Sequence, residues 1–258
     1  MKIESVDIKY HYLSGFSMNS GDGDVHSKSL PYMSIVQSQI GSYSIQLDNG
    51  PVYQTGDENF FIAPSVCTQK ITHCLNNGLF KARYMFLDVV INEKYRFDDV
   101  FDMPVVVDKD TAKLLDKDFN DYENTDCIYE KMRCLYNIIK HLSEISTPKE
   151  FFQNDKIYPL IDFIKNNYQK NISISEMADI LKISESNLYA VFKKSTGKSP
   201  IRYLNEYRLS VAAALLLQTS ESIKTIAEKV GFEDQFYFSK LFKNNYHISP
   251  QKYRKEQY

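Results

Sequence analysis

One helical pattern is written twice between Ile172 and Arg254, and that duplication limits what the chain can fold into. Leu188, Phe192-Lys193, Ser199-Pro200 and Tyr203 recur as Phe238, Phe242-Lys243, Ser249-Pro250 and Tyr253, at a constant offset of fifty. Upstream the offset becomes forty-nine, with Ala178 matching Ala227 and Leu181 matching Val230. The second copy therefore carries one extra residue in the turn between its helices. Two copies fall short of the three or more that a stacked solenoid needs, so the repeat marks a duplicated supersecondary unit.

Each copy reads as helix, tight turn, helix. In the first, Ser173 or Ser175 is the N-cap, and Met177, Ala178, Ile180 and Leu181 make an apolar stripe at helical spacing. After a turn at Lys182-Ile183, Ser184 caps a second helix that turns Leu188, Val191 and Phe192 inward. Ser186, Asn187, Tyr189, Ala190 and Lys193 are left on the outer face. In the second copy Ile223, Ile226, Ala227 and Val230 form the stripe, Gly231 supplies the positive φ of a tight turn, and Asp234 starts the next helix. There Phe238, Leu241 and Phe242 face inward, with Gln235, Tyr237, Ser239, Lys240 and Lys243 outward.

This division of labour suits a helix-turn-helix, in which one helix braces and the other lays its outer face in the major groove of DNA. Lys donates to guanine, Asn and Gln pair with adenine, and Ser or Tyr reaches bases or phosphates. Asp234 is included among the candidate contacts by its place at the head of the second reading helix. Between the copies, Ser199-Pro200 and the Ala- and Leu-rich run through Gln218 predict one long helix. It would fix the spacing of two reading heads that enter successive major-groove segments about 34 Å apart.

The residues Ile174-Ser175-Glu176-Met177-Ala178, Leu188 to Lys194, Gly197-Lys198-Ser199-Pro200, Tyr207-Arg208-Leu209, Ile226-Ala227, Gly231-Phe232, Tyr237 to Lys243, Ser249-Pro250 and Tyr253-Arg254 resemble the C-terminal domain of the AraC/XylS family of bacterial transcription regulators. The likeness runs in order over about one third of the chain. It implies binding of double-stranded promoter DNA, most often activation through contact with RNA polymerase, and control by a small organic effector. Sugars are favoured as effector only by their frequency in the family.

The charge distribution agrees with a split in roles. From Ile157 onward there are 15 Lys plus Arg against 10 Asp plus Glu, whereas the preceding residues hold 16 against 23. A basic half joined to an acidic half is expected when only one of them meets phosphate. The length suits two domains, set at residues 1–150 and 151–258 with Lys149 to Lys156 as the boundary. No apolar N-terminal run suggests a signal peptide and none is long enough for a membrane span, so a cytoplasmic location is expected. Cys67, Cys74, Cys127 and Cys134 lack CxxC spacing and are expected as free thiols.

The N-terminal half reads mainly as β. Tyr32 to Gln37, Ser42 to Leu47, Val52 to Gln54, Asn59 to Ile62, Cys67 to Thr72 and Phe80 to Val90 are short, β-branched or aromatic stretches. They are separated by turns at Asp48-Asn49-Gly50-Pro51, Gly56-Asp57, Ala63-Pro64 and Asn76-Asn77-Gly78. The fold class expected is α+β in two domains: a barrel or jelly roll with helices, then an all-α double helix-turn-helix. The run from Gly56-Asp57 through Phe60-Phe61-Ile62 to Pro64 resembles the cupin-like sensor domains many such regulators carry. The histidines, His11, His26, His73, His141 and His247, form no His-x-His pair, so no metal or other cofactor is expected. An effector pocket lined by Tyr and Phe is expected instead.

From Thr111 to Tyr122 and Cys127 to Ser146 the period becomes helical, with Ile128, Met132, Leu135, Tyr136, Ile139 and Leu142 on one stripe. The stripe suits packing on the barrel, and Ile128, Met132, Leu135, Ile139 and Leu142 equally suit pairing with a second copy, as family members pair here. One competitor to the regulator reading is a cupin-type enzyme with a helical appendage, and another is a ligand-independent regulator controlled by a protein partner. Absence of Walker, dinucleotide and nucleophile-elbow motifs favours a non-enzyme.

Overall fold

The computed structural model describes residues 3–18, 23, 25–93, 95–149 and 156–255. The chain divides into two compact units: Met1–His26 with Tyr32–Lys149, and Ser27–Pro31 with Glu150–Tyr258. Most of the expected boundary, residues 150–155, lies outside the described residues.

The first unit is antiparallel β with helices. Its strands are β1 (Val6–Met18), β2 (Val25–Lys28), β3 (Met33–Ile40), β4 (Ser42–Leu47), β5 (Val52–Gln54), β6 (Asn59–Ala63), β7 (Gln69–Cys74), β8 (Phe80–Ile91) and β9 (Tyr95–Arg96). A short helix α1 (Phe97–Val100) and strand β10 (Phe101–Asp102) lead to α2 (Lys109–Glu123) and α3 (Ile128–Ile145), and β11 (Thr147–Pro148) pairs back on β10. One sheet runs β1-β8-β3-β6 with β9 on β8, and the other runs β2-β7-β4-β5. The tight turn that takes the chain from β7 in one sheet to β8 in the other shows how local chemistry reverses its direction. Asn77 and Gly78 both take positive φ, and Asn76 and Leu79 exchange two backbone hydrogen bonds around them. A two-residue turn of that hand matches the strand twist.

Val36, Tyr43, Ile45, Phe61, Phe80 and Ala82 meet in the β core, with Phe61 and Phe80 edge-on to Tyr43. These aromatic residues pack on one another. The helices are held on the other face by Arg83 of β8, which is 2 % exposed. Its guanidinium donates to Gln37 Oε1 (2.6 Å), Asp116 Oδ1 (2.8 Å), Asn120 Oδ1 (2.8 Å) and Glu123, and stacks over Phe119. Four partners on one planar group hold α2 against β3 and β8.

Several expectations need correction. The longest strand, β1, was not anticipated: it is a sheet edge with no buried residue among its described side chains, so its sequence lacks the strong alternation of β8, to which it pairs from Val6↔Ile91 to Met18↔Phe80. The strand expected from Cys67 starts at Gln69, because Val66 takes positive φ and the chain is still turning. On α3 the buried face is Cys134, Leu135, Ile138, Ile139 and Leu142, and Tyr136 points outward. Of the five residues assigned to dimerisation, Leu135, Ile139 and Leu142 are therefore committed to the protein's own core. Cys127 lies at the N-cap of that helix rather than within it. All four cysteines are free.

From residue 156 to 255 the second unit is helical: α4 (Tyr158–Asn167), α5 (Ile174–Leu181), α6 (Glu185–Thr196), α7 (Pro200–Gln218), α8 (Ile223–Lys229), α9 (Gln235–Tyr246) and α10 (Pro250–Lys255). From α5 to α8 the starts differ by forty-nine, and from α6 to α9 and α7 to α10 by fifty. The long α7 spans about 28 Å at 1.5 Å per residue. Its Leu204 enters a core with Met177, Leu188 and Phe192, while its Leu209, Ala212, Ala213 and Leu216 enter a second core with Ile226, Phe238 and Phe242. A helix apolar on most sides is one buried on most sides. Small alanines at its centre let neighbouring helices approach closely. Among the described residues no helix is long and apolar enough to cross a membrane.

Candidate nucleic-acid interface

The two copies repeat in packing as well as in letters. Phe192 meets Tyr203 edge-on at 5.5 Å, and Phe242 meets Tyr253 edge-on at 5.3 Å. Ser199 Oγ accepts from the Arg202 N–H, and Ser249 Oγ from the Lys252 N–H, so each Ser-Pro pair opens a helix with one orphan donor satisfied. The second helix of each motif ends in a left-handed residue, Gly197 in one copy and His247 in the other. The first motif opens on Ser173, which accepts from the Glu176 N–H in a reciprocal capping box. Ser175 lies inside the helix.

The turns between brace and reading helix differ. Lys182 holds the left-handed position in the first copy, at φ 54°, and Gly231 holds it in the second, at φ 91°. A Cβ on Gly231 would lie 2.7 Å from the Tyr168 carbonyl oxygen and 2.8 Å from that of Gln169. Beside it, buried Arg208 of α7 donates to the carbonyl oxygens of Tyr168 and Lys170, both at 2.7 Å, and lies over the Phe232 ring. Gly231-Phe232 and Arg208 thus tie the end of α4, next to the first motif, to the turn of the second. Burial lowers the Arg208 pKa from its ordinary value. Arg254 closes the other end by donating to the carbonyl oxygens of Leu216 and Glu221.

The outer faces are clear of the cores. On α6, Ser186, Asn187, Tyr189, Ala190 and Lys193 are all exposed, while Leu188 and Phe192 are buried. On α9, Tyr237, Lys240 and Lys243 are exposed, Gln235 and Ser239 are partly covered, and Phe238 and Phe242 are buried. Asp234 is exposed, but its carboxylate accepts from the Phe236 N–H at 2.7 Å and so serves as the cap of α9. Among the described residues no carboxylate pairs with Lys193, Lys240 or Lys243. By contrast Lys198 is paired with Glu206, and Lys229 with Glu221. Unpaired cations on a convex helix face are available to phosphate without first breaking an ion pair. One prominent residue was missed by the sequence reading: Phe236 is 84 % exposed. The signal for it was present, because its counterpart at the offset of fifty is Ser186, an outer-face residue.

The first unit offers a different kind of site. A polar cleft of about 470 Å³ is bordered by Gln37, Gln39, Asp57, Asn59, Lys109 and Asp116 among others. Asp118, Asp121 and Cys134 also lie close together. Their carboxylates are engaged, Asp118 by Asn137 and His141 and Asp121 by Lys117 and Arg133, so a cation there would compete with existing donors.

Two helix-turn-helix motifs built on one shared helix, each with its second helix facing outward, define the tandem helix-turn-helix class of domain. Residues 177–256 match the family model described as a helix-turn-helix domain. The chain is 39 % identical over 128 residues to the lactose operon transcription activator of Staphylococcus xylosus, covering 48 % of this chain and 46 % of that protein. It is 30 % identical over 123 residues to the raffinose operon regulatory protein RafR of Pediococcus pentosaceus, 48 % of this chain and 44 % of the relative. With the activator RhaS of Yersinia pestis it shares 35 % identity over 104 residues, 40 % and 38 % of the two chains. The chain spans less than half the length of these curated relatives. Over nearly its whole length its fold is that of ToxT from Vibrio cholerae, at 13 % identity and a TM-score of 0.66, covering 95 % of this chain and 96 % of that one. A further ToxT structure, bound to an unsaturated fatty acid, matches with a TM-score of 0.65 at 13 % identity, over 98 % and 96 % of the two chains. The C-terminal region thus carries the matched helix-turn-helix domain and is similar to regulators of the AraC/XylS type.

Proposed function

We propose that this chain is a sequence-specific DNA-binding transcription regulator of the cytoplasm, not an enzyme, whose two reading helices α6 and α9 enter successive major-groove segments of promoter DNA. The observation that carries this reading is the pair of outer faces, each mainly polar and clear of the cores, set on helices that share α7 as a common brace. Ser186, Asn187, Tyr189, Ala190 and Lys193 contact one segment, and Gln235, Tyr237, Ser239, Lys240 and Lys243 the next. Asp234 contributes through the first turn of α9 that it caps.

Base readers and phosphate anchors separate by position. Gln235 and Lys240 are assigned to bases, where one bidentate contact contributes about 1–3 kcal/mol of discrimination. Lys193 and Lys243 sit nearer the ends of their helices and are assigned to phosphate. Selection of duplexes from a random pool, followed by footprinting with Gln235→Ala and Lys240→Ala, tests this. Each should lose about 1–3 kcal/mol and relax preference at one position. Unaltered affinity and footprint in both would remove α9 from the interface.

The names of the lactose and raffinose operon relatives support a carbohydrate as the small organic effector, and the polar cleft of the first unit supports its site. Polyol hydroxyls find there both carboxylates and amides within one concave surface. The chain acts as a homodimer that contacts RNA polymerase and activates. A thermal-shift series with disaccharides and with an unsaturated fatty acid, the ligand class of the ToxT structure, separates the two effector chemistries.

A further inference from the structure

We propose that Phe236 reads a thymine through its C5-methyl group, giving the second motif an apolar readout that the first motif lacks. This rests on the DNA-binding reading above. A lone exposed apolar side chain is ordinary on a protein surface, so the argument lies in where this one stands. Phe236, Ser239, Lys240 and Lys243 recur at i, i+3, i+4 and i+7, which places them on one face of α9. The buried Phe238 and Phe242 occupy the opposite side. The ring is therefore at the centre of the outer face and not at its flank.

Its place along the helix is equally defined. Phe236 is the second residue of α9, and its N–H is held by Asp234 at 2.7 Å. The N-terminal residues of a recognition helix are the ones that meet base edges. Glu233 and Asp234 lie just before it, and their negative charge disfavours an approach to phosphate there. A phenyl ring donates and accepts no hydrogen bond, so among the groups displayed in the major groove it gains only from the thymine methyl. Among the described residues no aromatic ring packs on it. The equivalent position of α6 holds Ser186, whose hydroxyl reads donors and acceptors. Two motifs that match in fold thus differ in chemistry at this outer-face position, which makes the bound sequence asymmetric.

The test uses the full chain and a duplex chosen by selection from a random pool. Each thymine in the segment protected by α9 is replaced singly by deoxyuridine, which differs only in lacking the methyl. The wild type should lose about fourfold in affinity at one or two adjacent positions, the effect of uncovering roughly one methyl group. Phe236→Ser should bind the thymine duplex several-fold more weakly and should no longer distinguish it from the deoxyuridine duplex. Its melting temperature should match the wild type, because the side chain it loses touches no core. A wild type indifferent to every replacement, or a Phe236→Ser variant that keeps the same penalty, would overturn the proposal. So would unchanged DNA affinity with lost transcription in a reconstituted promoter assay, which would make Phe236 a protein contact. Failure to enrich any duplex overturns the DNA-binding reading itself, a result distinct from all of these.

Discussion

Lys182 and Gly231 occupy the same place in the two turns, and the cost of that place differs between them. A left-handed lysine is strained by about 1–2 kcal/mol, yet nothing crowds its side chain because Lys182 is exposed. Lys182→Gly should therefore stabilise the domain by a few tenths to about 1 kcal/mol, the released strain being partly offset by the greater freedom of an unfolded glycine. Gly231→Ala should do the reverse, losing more than about 2 kcal/mol, since the added carbon meets two carbonyl oxygens and a guanidinium. Denaturant titration of both variants checks the pair, and equal effects would contradict this account. The repeat alone shows that the positions correspond. The closeness of Tyr168 and Gln169 could not be read from it, because that contact joins residues some sixty apart.

At the scale of elements, α3 has two populations of apolar residues. Leu135 is fully buried, so Leu135→Ala should cost about 2–5 kcal/mol of stability. Ile128, Tyr129 and Tyr136 are exposed on the same helix, at 57 %, 83 % and 41 %. Ile128→Glu with Tyr129→Glu should leave stability nearly unchanged and shift the protein toward monomer in sedimentation velocity if this helix carries the proposed self-association. Unchanged association would move the interface elsewhere. Helical period found α3, its approximate ends and Leu135, Ile139 and Leu142 of its buried face, but misplaced the edges of that face. Ile138 proved to be core and Tyr136 surface, because the direction from which α2 covers α3 depends on where Arg83 holds α2.

For the whole molecule, the acidic and basic halves give a prediction about salt. Removing both Lys193 and Lys243 by alanine should lower the slope of log affinity against log salt by roughly 2, about 0.9 for each phosphate contact, with little change in preferred sequence. Binding isotherms at several salt concentrations test it. Buried tyrosines give a second prediction. Burial raises the pKa of Tyr43, Tyr246 and Tyr253 above the usual phenol value. Below about pH 10 both folded and unfolded chains keep these phenols protonated and the stability is full; above it the unfolded chain ionises first and stability falls as pH rises. Tyr253→Phe should soften that alkaline loss at little cost near neutrality, since among the described residues its hydroxyl has no partner. Denaturant midpoints measured across the alkaline range test this.

The sequence by itself determined the duplicated helical unit, the extra residue in the second turn, the linking helix and the outward residues of α6, because helical period, caps and turn glycines are local and the second copy checks the first. It also located the central strands, from β3 to β8, where alternation and Asn-Gly turns are strong. Tertiary structure alone decided that β1 pairs along β8, that the β-unit aromatics pack together, that Arg208 and Gly231 join the two motifs, and where the covered face of α3 ends. Each of these depends on contacts between residues distant in the chain, and a side chain's exposure is settled only by what lands on it. Phe236 stands between the two: the repeat marked its position as outward, and only the fold showed an aromatic ring left there in water.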